Sequence, residues 1–256
     1  LSTDIEDKAL VLEMGMRGLG QIENLSKYSE PDIAVITNIG TAHLGLLGSK
    51  KNITYAKCEI SKYLNPEGVV IIPANDPFLE KTLKEFWKGR VIKVKLLNIE
   101  NQKESFKKDD NLRGFYNPLN KTILIEENTF EISFEGFHNA SNFLFAYAVA
   151  KELGIDFASF NKFDFVSLGG RNKILKSVEN IKAVPGRLEK VGNLKNNSIA
   201  ILDYAHTPDA LKTCVLNTKE HFKHRKVNLV FGCGGDRDKP KRAIMGKIAN
   251  DLCDKI

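Results

Sequence analysis

The sequence predicts an α/β fold in two parts: a parallel-sheet central domain over residues 1–183, then a partial Rossmann-like domain over 184–256. Three observations carry this reading. From Ile33 to Val94, short apolar runs alternate with longer helix-like segments, the order expected of a parallel sheet with crossover helices. The alternation then breaks into a lysine-rich stretch and a hairpin pattern. It resumes after Val184-Pro185-Gly186, where Pro and Gly punctuate the chain.

Ala9–Met14 and Ile33–Thr37 read as buried strands, each apolar and ended by Gly or a polar loop. Lys50–Tyr63 reads as a helix, Val69–Ile72 as a strand, Pro77–Trp87 as a helix and Val91–Val94 as a strand. Leu97–Asn111 is polar and lysine-rich and reads as a loop. Thr122–Ile125 and Phe130–Phe134 flank Glu126-Glu127-Asn128, a hairpin pattern. Phe143–Lys151 reads as an apolar helix, and residues 160 to 184 are weakly patterned. The second part reads as strand Ala200–Asp203, helix Pro208–Phe222, strand Val227–Phe231 and helix Lys241–Cys253.

Composition narrows the class. The chain is 42% hydrophobic and 27% charged, an ordinary globular balance that excludes a disordered or fibrous chain. No apolar run approaches the roughly 20 residues that span a bilayer, so no membrane partner is expected. The start, Leu1-Ser2-Thr3-Asp4-Ile5-Glu6, has no signal-peptide pattern, and its lack of Met predicts a chain cut from a longer protein. The net charge of +6 is spread out, with no aromatic-interleaved basic patch, so nucleic acid is not the expected partner. Anionic small molecules suit the charge. Cys58, Cys214, Cys233 and Cys253 form no C-x-x-C pair, which argues against zinc and for a reducing cytoplasm. The expectation is a cytoplasmic monomer.

Two loops stand out. Asp203-Tyr204-Ala205-His206-Thr207-Pro208-Asp209 and Phe231-Gly232-Cys233-Gly234-Gly235-Asp236-Arg237-Asp238 each follow an apolar run. Such strand-to-helix turns hold nucleotides and substrates in open α/β sheets. Asp203 suits ribose hydroxyls, and Asp203 and His206 alternatively suit loop capping. The glycines allow close backbone approach to an anion or simply a tight turn. Arg187, just after Pro185-Gly186, suits a transferring phosphoryl group or an interdomain ion pair.

Earlier candidates are weaker singly. Glu13 ends an apolar run, where a carboxylate suits Mg²⁺ or a solvated strand end. His43 suits a metal, a phosphate or a plain loop. Lys57 is either a surface lysine or, beside a metal, an amine that takes up CO₂ as a carbamate. Asn139 and Asn142, in the helix opened by His138-Asn139, fit an adenine edge or a helix cap.

In this order, these residues resemble the Mur ligase family across nearly the whole chain. The resemblance implies Glu13, His43 and carbamylated Lys57 as Mg²⁺-associated residues. It implies Asn139 and Asn142 at adenine, and Arg187, Asp203 and His206 at the ATP phosphates and ribose. Lys57, His206 and Arg187 are thereby the catalytic candidates. The implied reaction joins a UDP-N-acetylmuramoyl-peptide carboxylate to an amino acid, diaminopimelate or lysine, through an acyl phosphate made from ATP. The same chemistry with D-Ala-D-Ala, or a non-catalytic nucleotide-binding fragment, are the alternatives.

Two departures accompany the resemblance. The family's phosphate loop is absent and is expected upstream of Leu1, so the isolated chain is expected to have no ligase activity. Glu13–Gly18 and Thr37–Ser49 resemble the D-Ala-D-Ala-adding members. Pro185–Glu189, Asp203–Leu211 and Phe231–Arg242 resemble the tripeptide synthetases. Gly170-Arg171 resembles the hinge arginine that Gly186-Arg187 repeats. A seam between about Arg171 and Val184 is therefore expected.

Overall fold

Strand β2 (Val69–Pro73) shows how the sheet is built. Val70 and Ile72 face one apolar layer and Ile71 the other, and all are buried. Side chains alternate along a strand, so an unbroken apolar run means cover on both faces. The computed structural model describes residues 9–40, 44–101, 112–132, 136–155, 173–175, 184–193, 197–233 and 240–256.

Among the described residues the main sheet has seven strands in sequence order. β1 (Ile33–Val35), β2, β3 (Arg90–Asn98) and β4 (Leu112–Asn117) are parallel. β5 (Thr122–Ile125) and β6 (Asn128–Glu131) are antiparallel, and β7 (Lys173–Leu175) returns parallel to β6. The expected hairpin is thus present, while β4 is additional and β3 runs past Val94 into the expected loop. The β5–β6 turn puts non-glycine Glu126 at φ +54°. Its carboxylate is held by the Tyr147 hydroxyl at 3.1 Å and by the Lys151 ammonium.

Helices cover both faces. On one side lie α1 (Gln21–Ser29), α2 (Leu44–Leu47), α3 (Lys50–Cys58) and α4 (Pro77–Phe86), with Ile22, Leu47, Ile53 and Leu79 in the layer. On the other, α5 (Phe137–Glu152) sets Ala140, Leu144 and Ala148 against Val94, Tyr116 and Ile123. Each large apolar side chain so buried contributes about 1.5–3 kcal/mol. Helix α3 starts where Ser49 Oγ accepts from Asn52 N, and α4 where Asp76 accepts from Leu79 N with Pro77 next, both signals legible in sequence.

The second part pairs β8 (Glu189–Asn193) antiparallel with β9 (Ile199–Leu202). Helices α6 (Pro208–His221) and α7 (Pro240–Leu252) follow, joined by Leu211, Val215 and Met245.

Two expected strands are corrected. Ala9–Met14 enters no ladder, and Leu10, Val11 and Leu12 are 54%, 88% and 37% exposed. A strand needs a neighbour for its N–H and C=O groups, and none of the described strands supplies one. Val227–Phe231 forms only the single parallel bridge Asn228–Lys255, supported by Leu229 N donating to Lys255 O. Val230 is 98% exposed.

Candidate functional site

The turn after β9 gathers three of the candidates. Both Asp203 carboxylate oxygens accept backbone N–H groups, Oδ2 from Leu188 and Oδ1 from Ala205, each at 2.9 Å. Tyr204 N donates to Gly186 O at 2.8 Å, and Gly186 N to Glu189 Oε2 at 2.7 Å. The carboxylate therefore binds the 186–188 turn to the 203–205 turn. Gly186 has φ +71°, a conformation in which glycine carries no strain.

Arg187 and His206 flank the same aromatic ring. The Arg187 guanidinium lies 5.5 Å from the Tyr204 ring centre, and the His206 ring meets it edge-on at 5.2 Å. His206 Nδ1 is 3.0 Å from Tyr204 O, and Lys241 Nζ donates to His206 O at 3.5 Å. Thr207 Oγ1 then accepts from Ala210 N to start α6, with Pro208 in its first turn. Exposed Arg187 and His206 and half-buried Asp203 thus form one cluster of both charges, suited to an anionic ligand with hydroxyl groups. Beneath it, burial pushes the Cys214 thiol up to about 12, with Asp203 adding to the rise.

Asn139 and Asn142 are three residues apart in α5, on one helix face. The residue before Asn139, His138, places Nδ1 2.8 Å from Asn217 Nδ2 of α6. The start of α5 is therefore tied to the helix that follows Asp203.

Lys57 lies on α3, half-buried, and its ammonium donates to Asn38 O at 2.8 Å. Burial holds its pKa below the usual lysine value. Glu13 is exposed on the extended segment and not at the end of a strand. His43 lies outside the described residues, as do Gly170-Arg171, Gly234, Gly235, Asp236, Arg237 and Asp238; of the expected seam between about Arg171 and Val184, only Lys173–Leu175 and Val184 are described. Among the described residues no three His, Cys, Asp or Glu side chains gather as a metal cluster.

Sequence reasoning gave no role to Tyr204, Asn217 or Glu59. Glu59 is 5% exposed, and its oxygens accept from Gly20 N at 2.7 Å and Glu23 N at 3.3 Å. It caps the free N–H groups at the start of α1 from a distance. Its burial beside Ala56, Cys58 and Ser61 shows only in the structure, since the local sequence mixes charged and apolar residues. Among the described residues no helix is long and apolar enough to cross a membrane.

Comparison with known proteins adds to this geometry. Residues 2–150 match the Mur ligase middle domain, and residues 186–256 match the Mur ligase, glutamate ligase domain. The chain is 30% identical over 249 residues to the UDP-N-acetylmuramoyl-L-alanyl-D-glutamate--2,6-diaminopimelate ligase of Rickettsia conorii, covering 96% of this chain and 47% of that protein. It is 36% identical over 146 residues to the UDP-N-acetylmuramoyl-tripeptide--D-alanyl-D-alanine ligase of Synechocystis sp., covering 57% and 29%. Its fold is similar to that of the MurF ligase of Thermotoga maritima in complex with ADP. The TM-score there is 0.64 at 21% identity, over 93% of this chain and 51% of that one. The chain spans about half the length, or less, of the relatives it matches.

Proposed function

Because the chain belongs to the Mur ligase family, we propose that it supplies the ATP site of a ligase in peptidoglycan precursor synthesis. In this reading, residues 1–183 belong to the central ATP-binding domain and 184–256 to the C-terminal domain of a cytoplasmic, monomeric enzyme. The enzyme joins the carboxylate of a UDP-N-acetylmuramoyl-peptide to diaminopimelate or lysine.

The observation that carries the proposal is the joined pair of structures around the Asp203 turn. Arg187, Asp203 and His206 form one cluster, and the His138–Asn217 contact ties it to the helix of Asn139 and Asn142. A nucleotide has a flat base with a hydrogen-bonding edge at one end and anionic phosphates at the other. Asn139 and Asn142 would meet the base, Asp203 and His206 the ribose and phosphates, and Arg187 the phosphoryl group in flight.

The chemistry balances without covalent help from the protein. A substrate carboxylate oxygen attacks the terminal phosphorus, and the bond to the bridging oxygen breaks, releasing ADP. The incoming amine then attacks the acyl carbon, loses a proton, and phosphate leaves. Positioning and charge compensation dominate such transfers.

One feature suits a hard cation: Lys57 is half-buried on α3, and CO₂ uptake there would turn its amine into an oxygen donor. Glu13, His43 and carbamylated Lys57 would hold Mg²⁺, which supplies charge neutralisation when bound.

A second reading is the D-Ala-D-Ala-adding ligase, favoured by the higher identity over the shorter match. The test is an assay of the full-length gene product with ATP and Mg²⁺. UDP-N-acetylmuramoyl-dipeptide is offered with diaminopimelate or lysine, and the tripeptide with D-Ala-D-Ala. A product with a single amino acid supports the first reading, and one with the dipeptide the second. ATP binding without any amide product would leave a nucleotide-binding module, and no ATP binding would end the proposal.

A further inference from the structure

Helix α5 begins without a side-chain cap, because its first flanking residue is Gly136 at φ +93°. Its opening turn is held from outside instead. Leu188 Cδ1 lies 3.1 Å from where a Cβ on Gly136 would stand. His138 Nδ1 faces Asn217 Nδ2 at 2.8 Å across 79 residues of sequence. Between these contacts sits a small cavity lined by Gly136, Leu188, Ile201, Asn217 and Phe222. The same Leu188 gives its N–H to Asp203. Three segments therefore converge on His138: the start of α5, the turn before β8, and α6.

With the Asn217 amide nitrogen facing it, imidazole Nδ1 is the acceptor and the ring proton belongs on Nε2; with the amide turned over, Asn217 Oδ1 would face an Nδ1–H instead. In the first arrangement a doubly protonated ring would set N–H against N–H. The charged groups that act on this ring are Asp203 and Arg187, both from the nucleotide cluster.

We propose that His138, locked by Asn217 in the Nε2–H form, is a positioning residue that sets Asn139 and Asn142 in register with the Asp203 turn. This rests on the nucleotide-site reading above. The bond acts on where the two ends of one ligand are received, not on the transfer itself. Its loss should appear in the affinity for ATP, with the rate at saturation little changed.

Long-range proton–nitrogen NMR of the full-length protein reads the tautomer directly. The expected result is Nε2–H in the parent protein and Nδ1–H in Asn217→Asp, whose carboxylate accepts where the amide donated. Steady-state kinetics then read the role. A net hydrogen bond corresponds to about fivefold in binding, so Asn217→Leu should raise the KM for ATP by about that factor with kcat within about twofold. His138→Gln, which offers Asn217 an acceptor, should stay near the parent. An Nδ1–H ring in the parent protein overturns the proposal even if no variant folds. So does an unchanged KM in a folded Asn217→Leu. If the protein binds no ATP, the functional reading fails and the positioning role fails with it, while the tautomer result still stands or falls separately.

Discussion

The Arg187 guanidinium stacks over the Tyr204 ring, 5.5 Å from its centre. The ring is 67% exposed and its backbone is tied to Gly186, so the guanidinium rests on an aromatic face carried by the turn. An exposed contact of this kind is worth about 0.5–1 kcal/mol. Tyr204→Ala should therefore raise the KM for ATP by about two- to fivefold, and Tyr204→Phe should not. Arg187→Lys should not substitute, because an ammonium neither stacks as a plane nor grips two oxygens. Steady-state kinetics of the full-length protein check all three.

Asp203→Asn tests how far the carboxylate is a structural bolt. Both oxygens already accept N–H groups. An amide NH₂ would face one of those donors, at a cost of about 1–3 kcal/mol. The midpoint of chemical denaturation should fall accordingly even in the absence of ATP. An unchanged midpoint would show that the turn holds without it.

Glu59→Ala removes the buried cap on α1 and leaves Gly20 N and Glu23 N without their acceptor. About 1–2 kcal/mol of stability should be lost. Glu59→Gln should recover part of that, since its Oε1 still accepts. Denaturant titration with unchanged slope would assign the loss to the folded state.

Lys57 should form a carbamate. Isotopically labelled bicarbonate should give a carbamate carbon signal in the parent protein that Lys57→Arg lacks. The same change should lower kcat on the order of 10²-fold, as when one preorganised charge-stabilising group is lost. A signal of equal size in Lys57→Arg would place the carbamate elsewhere.

The pH dependence follows from His138. Burial lowers its folded pKa below the ordinary 6.5. Above that value both states carry the neutral ring and the group has no net effect. Between the two pKa values the unfolded chain binds more protons, so stability falls as pH drops through 6.5 and levels off below the folded value. Between about pH 7.5 and pH 5.5, the parent should lose more stability than His138→Gln. Equal losses would show that His138 does not carry the effect.

Much of the first part was legible because its physics is local. Val69–Pro73 is apolar on both faces, Ser49 and Asp76 cap helices, and Pro77 and Pro208 open them. Leu112–Asn117 was not legible, since Arg113, Gly114 and Asn117 interrupt its pattern and only pairing with β3 and β5 makes it a strand. Glu189–Asn193 is likewise polar and exists through β9. Ala9–Met14 fails the other way: its apolar pattern reads as a strand, but a ladder needs a partner that residue order cannot supply.

The sequence by itself determined the alternation of strands and helices, the hairpin, and which residues could carry nucleotide chemistry. Those depend on side-chain type and spacing along one segment. Tertiary structure decided which of them meet. Asp203 spends its oxygens on Leu188 and Ala205, Arg187 stacks on Tyr204, and His138 finds Asn217 79 residues away. Such pairings follow from chain closure around a shared core, and no local pattern encodes them.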